Sequence, residues 1–309
     1  MKVFKGLSAL PKFKNAVLTI GTYDGVHAGH QAIIQKINEI ARSIGGESIV
    51  LTFDPHPRIV LNKDKENLKL ISTIDEKIEL LDSFGLDNLV ITPFSKNFAS
   101  TEAKDYVRDV LVHYFQPAVI VIGYDHKFGK GRTGNINLLR ALGPKYNFKV
   151  EEISAQTIHE ISVSSTKVRN AIMESNIKEA NTLLAHSFII QGDVVHGDKI
   201  GRTIGFPTAN LHIKDPYKLI PPVGVYAVWV EIGENKLKGA LSISYRPTVK
   251  SDGELRVEVY ILDFNQDIYG ENLRLILVDF IRKDKKFDTL DELIIQMQKD
   301  VEQVRNVLN

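Results

Sequence analysis

The sequence contains no cysteine. That absence excludes disulfides, thiolate metal sites and cysteine nucleophiles together, and it is compatible with a reducing cytoplasm. Net charge is also nearly absent, since 39 Lys and Arg stand against 38 Asp and Glu. Bulk electrostatics therefore gives no reason to expect a nucleic-acid or membrane partner, and any charged ligand must be met by a local site. No stretch approaches the roughly 18 apolar residues of a membrane span, and the opening MKVFKGLSALPKFKN has no apolar core of signal-peptide length. Internal repeats and low-complexity segments are missing too. The absences together predict a cytoplasmic chain, for which a monomer is acceptable.

What is present suits an ordinary protein of two domains: 309 residues, 43% hydrophobic and 25% charged. In the first half, short β-rich runs at 16–20, 48–53, 88–92, 118–123 and 148–153 alternate with helical patterns at 30–44, 73–84, 101–115 and 136–146. Near-continuous apolar strands separated by helices predict a doubly wound α/β domain with a parallel sheet, whose ligands bind at the carboxyl ends of the strands. From about residue 187 strands follow one another with Gly and Pro between them, which predicts a small antiparallel β-barrel closed by a C-terminal helix over 288–308. A helical stretch at 164–186 would join the halves, giving domains 1–185 and 186–309. The charged clusters at 63–67 and 282–286 read as solvated loops.

The segment GTYDGVHAGH, residues 21–30, follows the first of the apolar runs. Gly21 ends the strand, Gly25 permits a tight bend, and Gly29 lets the backbone approach a ligand where a helix begins near His30. A helix N-terminus attracts phosphate, and His27 and His30, three apart, can face one side and donate to phosphate oxygens. Further along, Ser164, Ser165 and Thr166 open a helix that also carries Lys167 and Arg169, a set that can bind phosphate or simply cap the helix. GKGRTG at 129–134 matches a dinucleotide fingerprint, but it follows the fourth run rather than the first and its glycines lie outside the turn at the strand end, which argues against a dehydrogenase.

In the second half, Gly192, Gly197, Gly201 and Gly205 read as a close-approach loop beside Thr208 and Asn210. Those two hard oxygen ligands suit Mg²⁺ with ATP phosphates, outside the P-loop class because no G-x-x-x-x-G-K-[ST] is present. Glu258 interrupts an apolar strand, where a carboxylate is either a functional base or part of a structural ion pair.

The HxGH spacing resembles the nucleotidyltransferase superfamily, and further motifs narrow the resemblance. IGTYDGVHAGH, FDPHP at 53–57, GYDHKFGKGRTG at 123–134, ISVSSTKVR at 161–169, GDVVHGDKIGRTIGFPTANL at 192–211, RPTV, VEVYILDF, DIYG and KKFDTLDEL occur in order, as in the bacterial bifunctional riboflavin kinase/FMN adenylyltransferase (FAD synthetase) family. The resemblance covers nearly the whole chain. It implies that ATP phosphorylates riboflavin to FMN in the barrel, with Glu258 as general base and Mg²⁺ held by Thr208 and Asn210. A second ATP then adenylylates FMN to FAD in the first domain, where His27, His30 and Arg169 stabilise phosphate charge. It adds Tyr23, Asp24 and Gly201 to the nucleotide-binding residues, and Asp125, Phe128 and Arg132 to the flavin-binding ones. The chain departs from the family pattern at His126 (usually Phe), Ser242 and Ser244 (usually Asn and Gly), Tyr260 (usually His) and Asp284 (usually Glu). A barrel that only binds flavin, or a flavin-responsive regulatory protein, stays open as an alternative.

Overall fold

The computed structural model describes residues 1–61, 68–123, 126–153, 163–197, 201, 204–245 and 255–309. The charged cluster at 63–67, Asp125 and the RPTV motif lie outside the described residues. Contacts divide the chain into two compact units, Met1–Ser164 and Ser165–Asn309.

In the first unit, six strands form one parallel sheet in the order β1-β4-β3-β2-β5-β6: β1 (Lys2–Lys5), β2 (Val17–Ile20), β3 (Ser48–Phe53), β4 (Asn88–Thr92), β5 (Val119–Gly123) and β6 (Lys149–Ile153). Period-two alternation sends successive strand residues to opposite faces. Leu18, Ile20, Ile49 and Leu51 join one core with Tyr106, Val107, Leu111 and Leu139. Val17, Val50, Leu89 and Val121 join the other with Ile34, Ile37, Leu80 and Leu81. Helix α1 (Ala28–Ser43) and α2 (Ile74–Ser83) cover that second face, while a π-helix (Tyr106–Phe115) and α3 (Ile136–Tyr146) cover the first. The doubly wound reading therefore holds.

Two details differ from the sequence reading. β1 was not expected, because Lys-Val-Phe-Lys is too short and too polar to register as an apolar run; it pairs only with β4, at the sheet edge. The HxGH strand is thus second in the chain and the glycine-rich loop follows the fifth. Residues 106–115 form a π-helix rather than an α-helix; apolar spacing of three and four serves either, so the pattern could not separate them.

The second unit opens with α4 (Ser165–Met173) and α5 (Ile177–Leu184). These are two helices where one connecting stretch was expected, and contacts group them with the barrel. The Asn181 amide donates to the Leu277 carbonyl, and its oxygen accepts from the Phe188 N–H. The closed barrel runs β10-β11-β8-β7-β12-β9, from β7 (Ile189–Val195), β8 (Thr208–His212), β9 (Gly224–Ile232), β10 (Asn235–Tyr245), β11 (Leu255–Ile261) and β12 (Asn272–Arg282). Its interior is filled by Val228, Val230, Leu241, Ile243, Val257, Val259, Leu273 and Leu275. Helix α6 (Leu290–Val307), capped by Thr289, lays Val301 and Val304 against Ala227, Leu262 and Trp229. Arg282 is no part of a solvated loop: it ends β12 and grips the buried Asp300 of α6 through Nε and Nη2 at 2.7–3.0 Å.

Candidate active sites

The sheet reverses its strand order at β2, whose neighbours are β3 on one side and β5 on the other. A crevice opens at the carboxyl ends of strands at such a point, and GTYDGVHAGH leaves β2 there. Gly25 has φ +78°, and a Cβ on it would lie 2.7 Å from the Ile71 side chain, so only glycine fits this bend. α1 starts at Ala28, two residues earlier than the sequence suggested, with His27 as its N-cap in extended conformation and its side chain making no capping bond. The His27 and His30 rings stack with centroids 3.7 Å apart, and His30 lies 4.8 Å from the Tyr23 ring. A Cβ on Gly29 would come within 3.3 Å of the His27 ring, so Gly29 makes room for the stacked pair.

Burial, with help from the charges of His27 and Lys77, holds the His30 pKa well below its ordinary value. His30 Nδ1 is buried and has no hydrogen-bond partner among the described residues. A neutral imidazole such as His30 at a helix N-terminus can donate to a phosphate oxygen without a counter-charge of its own. Of Tyr23 and Asp24, which the resemblance puts among the nucleotide-binding residues, the Tyr23 hydroxyl lies 2.9 Å from Thr19 Oγ1 and Asp24 accepts from the Ile71 and Ser72 amides. Gly21 continues the ladder of β2 through its amide to Leu51 and packs beneath Tyr23. Ser164 is the last residue of the first unit, whereas Ser165, Thr166 and Arg169 belong to α4 of the second.

In the barrel, Thr208 and Asn210 stand on β8 rather than in a loop, with Gly192 inside β7. Polar Thr-Ala-Asn-Leu-His does not look like a strand, but pairing with both β7 and β11 makes it one. Register sets Thr208 opposite Tyr260 and Asn210 opposite Glu258, and on the other side of β11 sets Ser242 opposite Glu258 and Ser244 opposite Arg256. Thr208 Oγ1 donates to Glu258 Oε2 at 3.2 Å, and Arg256 Nη1 is 3.5 Å from Glu258 Oε1. The carboxylate thus has an ion-pair partner yet keeps 23% of its side chain exposed. Gly197 abuts Asn210, where a Cβ would fall 2.3 Å from the amide nitrogen, and Gly201 accepts the Phe206 amide. Next to Thr208 a cavity of about 540 Å³ is lined by Val194, Pro207, Ile261, Phe264 and Tyr269 among others.

The FAD synthetase family model matches residues 10–167, and the riboflavin kinase family model matches residues 184–308. Relatives named bifunctional riboflavin kinase/FMN adenylyltransferase include one from Listeria monocytogenes, 38% identical over 94% of this chain and 92% of the relative, and one from Escherichia coli K12, 39% identical over 97% and 96%. The chain belongs to the bifunctional riboflavin kinase/FMN adenylyltransferases. It phosphorylates riboflavin to FMN and adenylylates FMN to FAD, with ATP as donor in both steps. A solved structure from Streptococcus pneumoniae, named a macrolide-efflux protein, covers 99% of both chains at TM-score 0.86 and 33% identity. Among the described residues of the present chain no helix is long and apolar enough to cross a membrane.

In this riboflavin kinase/FMN adenylyltransferase the resemblance leads to an expectation of flavin beside residues 125–132. Phe128, expected there, is buried and bridges Gly134 through two backbone hydrogen bonds. The loop between them has Gly129 and Gly131 at positive φ and exposed Arg132, and Asn135 caps α3 beyond it, so it closes on itself and opens no helix directly. His126, usually Phe in the family, lies near the Phe128 ring at 6.1 Å. Phe128 is one end of a run of aromatic contacts that the sequence did not reveal: Tyr106 is 5.6 Å from Phe128, Phe98 is 5.8 Å from Tyr106, and Phe53 and Phe94 follow. The buried Tyr106 hydroxyl has no partner among the described residues. Aromatics scattered between 53 and 128 carry no local pattern; a doubled Phe within 94–98 was the one available hint.

Proposed function

We propose that adenylyl transfer takes place over the paired rings of His27 and His30, and phosphoryl transfer over the β8–β11 row that holds Thr208, Asn210 and Glu258. The stacked histidines at the start of α1, with burial holding the His30 pKa below its ordinary value, support the first assignment. There an FMN phosphate oxygen bonds to the α-phosphorus of ATP, while the bond to the departing pyrophosphate breaks and its electron pair leaves with it. Histidine N–H groups and helix amides lower the barrier by meeting charge that grows on the phosphates, with no covalent intermediate. The Phe128–Tyr106 wall would take the flavin ring. For Arg169, Ser164, Ser165 and Thr166 the reading rests on the motif SSTKVR.

In the barrel, the Glu258 carboxylate would accept the proton of the ribityl 5'-hydroxyl as that oxygen bonds to the γ-phosphorus of ATP, while the bond from that phosphorus to the bridging oxygen breaks and ADP leaves with its electron pair. Thr208 and Asn210 offer neutral hard oxygens, and Gly197 has no side chain to displace the Asn210 amide packed against it, a donor set that fits Mg²⁺ completed by phosphates and water. Bound there, Mg²⁺ would neutralise phosphate charge. Substrates drawn from the nucleotide pool agree with a cytoplasmic location.

Four full-length proteins test this: wild type, His30→Ala, Glu258→Gln and Tyr260→His, assayed separately for FMN from riboflavin and FAD from supplied FMN. His30→Ala should lose FAD formation about a hundredfold or more and keep FMN formation, the scale of losing one preorganised donor. Glu258→Gln should do the reverse, by about a hundredfold. Tyr260→His should stay within about tenfold of wild type, since the hydrogen-bonding tip is retained. A Glu258→Gln protein as fast as wild type would put the base elsewhere, and a fully active His30→Ala would remove the first site.

A further inference from the structure

Lys77 plays no part in the readings above. It is the fourth residue of α2 and only 5% exposed, and among the described residues its ammonium makes no hydrogen bond and no ion pair within 4.0 Å. Lysines on a helix ordinarily extend their charge to solvent. Burying a lysine side chain is costly unless counter-charge meets it, and perturbed groups of this kind cluster at functional sites.

The surroundings show which site that is. The segment leading into α2 is fastened to the turn before His27: Asp24 accepts from the Ile71 and Ser72 amides, the Gly25 amide donates to Ser72 Oγ, and Ile71 fills the space beside Gly25. The Thr73–Glu76 capping box then fixes the first turn of α2. Lys77 is thereby held close enough to His30 for its charge to oppose protonation of that ring. Asp24 and Asp54 attract the ammonium, and burial works against it. Lys77 and His27 each disfavour a further positive charge at His30, and an anion bound beside them would relieve that.

We propose that Lys77 binds a phosphate oxygen of the ATP at the His27/His30 site and stabilises the pyrophosphate as it departs, a third charge-stabilising side chain for adenylyl transfer. The inference rests on the reading that this reaction occurs at those histidines. When the α-phosphorus–oxygen bond breaks, the electron pair moves onto pyrophosphate, and a preorganised ammonium in a low-dielectric site meets the added charge.

Full-length Lys77→Met and Lys77→Arg are compared with wild type and His30→Ala for FMN formation, FAD formation and inhibition of FAD formation by inorganic pyrophosphate. Lys77→Met should lower FAD formation by about thirtyfold or more, leave FMN formation within about twofold, and raise the inhibitory pyrophosphate concentration about tenfold; Lys77→Arg should recover to within about tenfold of wild type. A lysine with a merely structural role would lower thermal stability without changing pyrophosphate sensitivity. FAD formation by Lys77→Met within about threefold of wild type, or unaltered pyrophosphate inhibition, overturns the proposal. If Lys77→Met does not fold, Lys77→Gln replaces it and the same two measurements decide. Loss in His30→Ala with none in Lys77→Met refutes this inference alone, whereas full activity in both refutes the site.

Discussion

His30 shows how one residue ties the site to the stability of its unit. Burial, the neighbouring His27 and the charge of Lys77 all disfavour its imidazolium, so the folded-state pKa lies well below the unfolded value of 6.5. Below about pH 6.5 the unfolded chain therefore binds a proton that the native chain refuses, and stability falls with pH until the folded pKa is reached. The slope can approach about 1.4 kcal/mol per pH unit for one proton. Urea unfolding of the first unit at pH 7.5, 6.5 and 5.5 should show this decline, and His30→Ala should flatten it. An equally steep decline in the variant would assign the effect to other groups. The histidine pair itself was legible, because His-x-Gly-His has a spacing that chemistry demands. Lys77 was not: one lysine in TIDEKIELLDSF looks like any solvated helix residue, and only the fastening of Asp24 to Ser72 turns it inward.

At the scale of elements, the turn from β2 into α1 depends on backbone geometry. Gly25→Ala must place a side chain at φ +78° and 2.7 Å from Ile71. The expected cost is about 1–3 kcal/mol, with FAD formation reduced and FMN formation spared, measured by unfolding curves and the two assays. Unchanged stability would mean that the turn relaxes without strain. This bend could be read from the sequence because glycine announces it. The strand status of Thr208–His212 could not, because partners on both sides make that strand, and they lie as far along the chain as Tyr260, opposite Thr208.

For the whole molecule, each unit has its own core, and the proposed boundary at 185/186 leaves α4 and α5 outside the barrel fragment. Fragments 186–309 and 165–309 should both make FMN from riboflavin, and neither should make FAD. The longer one retains the Asn181 bonds to Leu277 and Phe188 and the Ser175–Tyr226 contact, and should be more stable by about 1–3 kcal/mol in urea unfolding. An insoluble 186–309 beside a folded 165–309 would move the boundary to 165.

By itself the sequence determined the class of both units, the order of most strands and helices, the family and the HxGH histidines. All of these rest on local periodicity or on short motifs whose meaning does not depend on distant neighbours. Tertiary structure alone decided the edge strand β1, the π-helix, the aromatic contacts from Phe53 to Phe128, the grip of Arg282 on Asp300, the hydrogen bonds of Tyr23 and Asp24, and the burial of Lys77. Each depends on which residues far apart in the chain share a face or a hydrogen bond, and a one-dimensional pattern carries no distances between them.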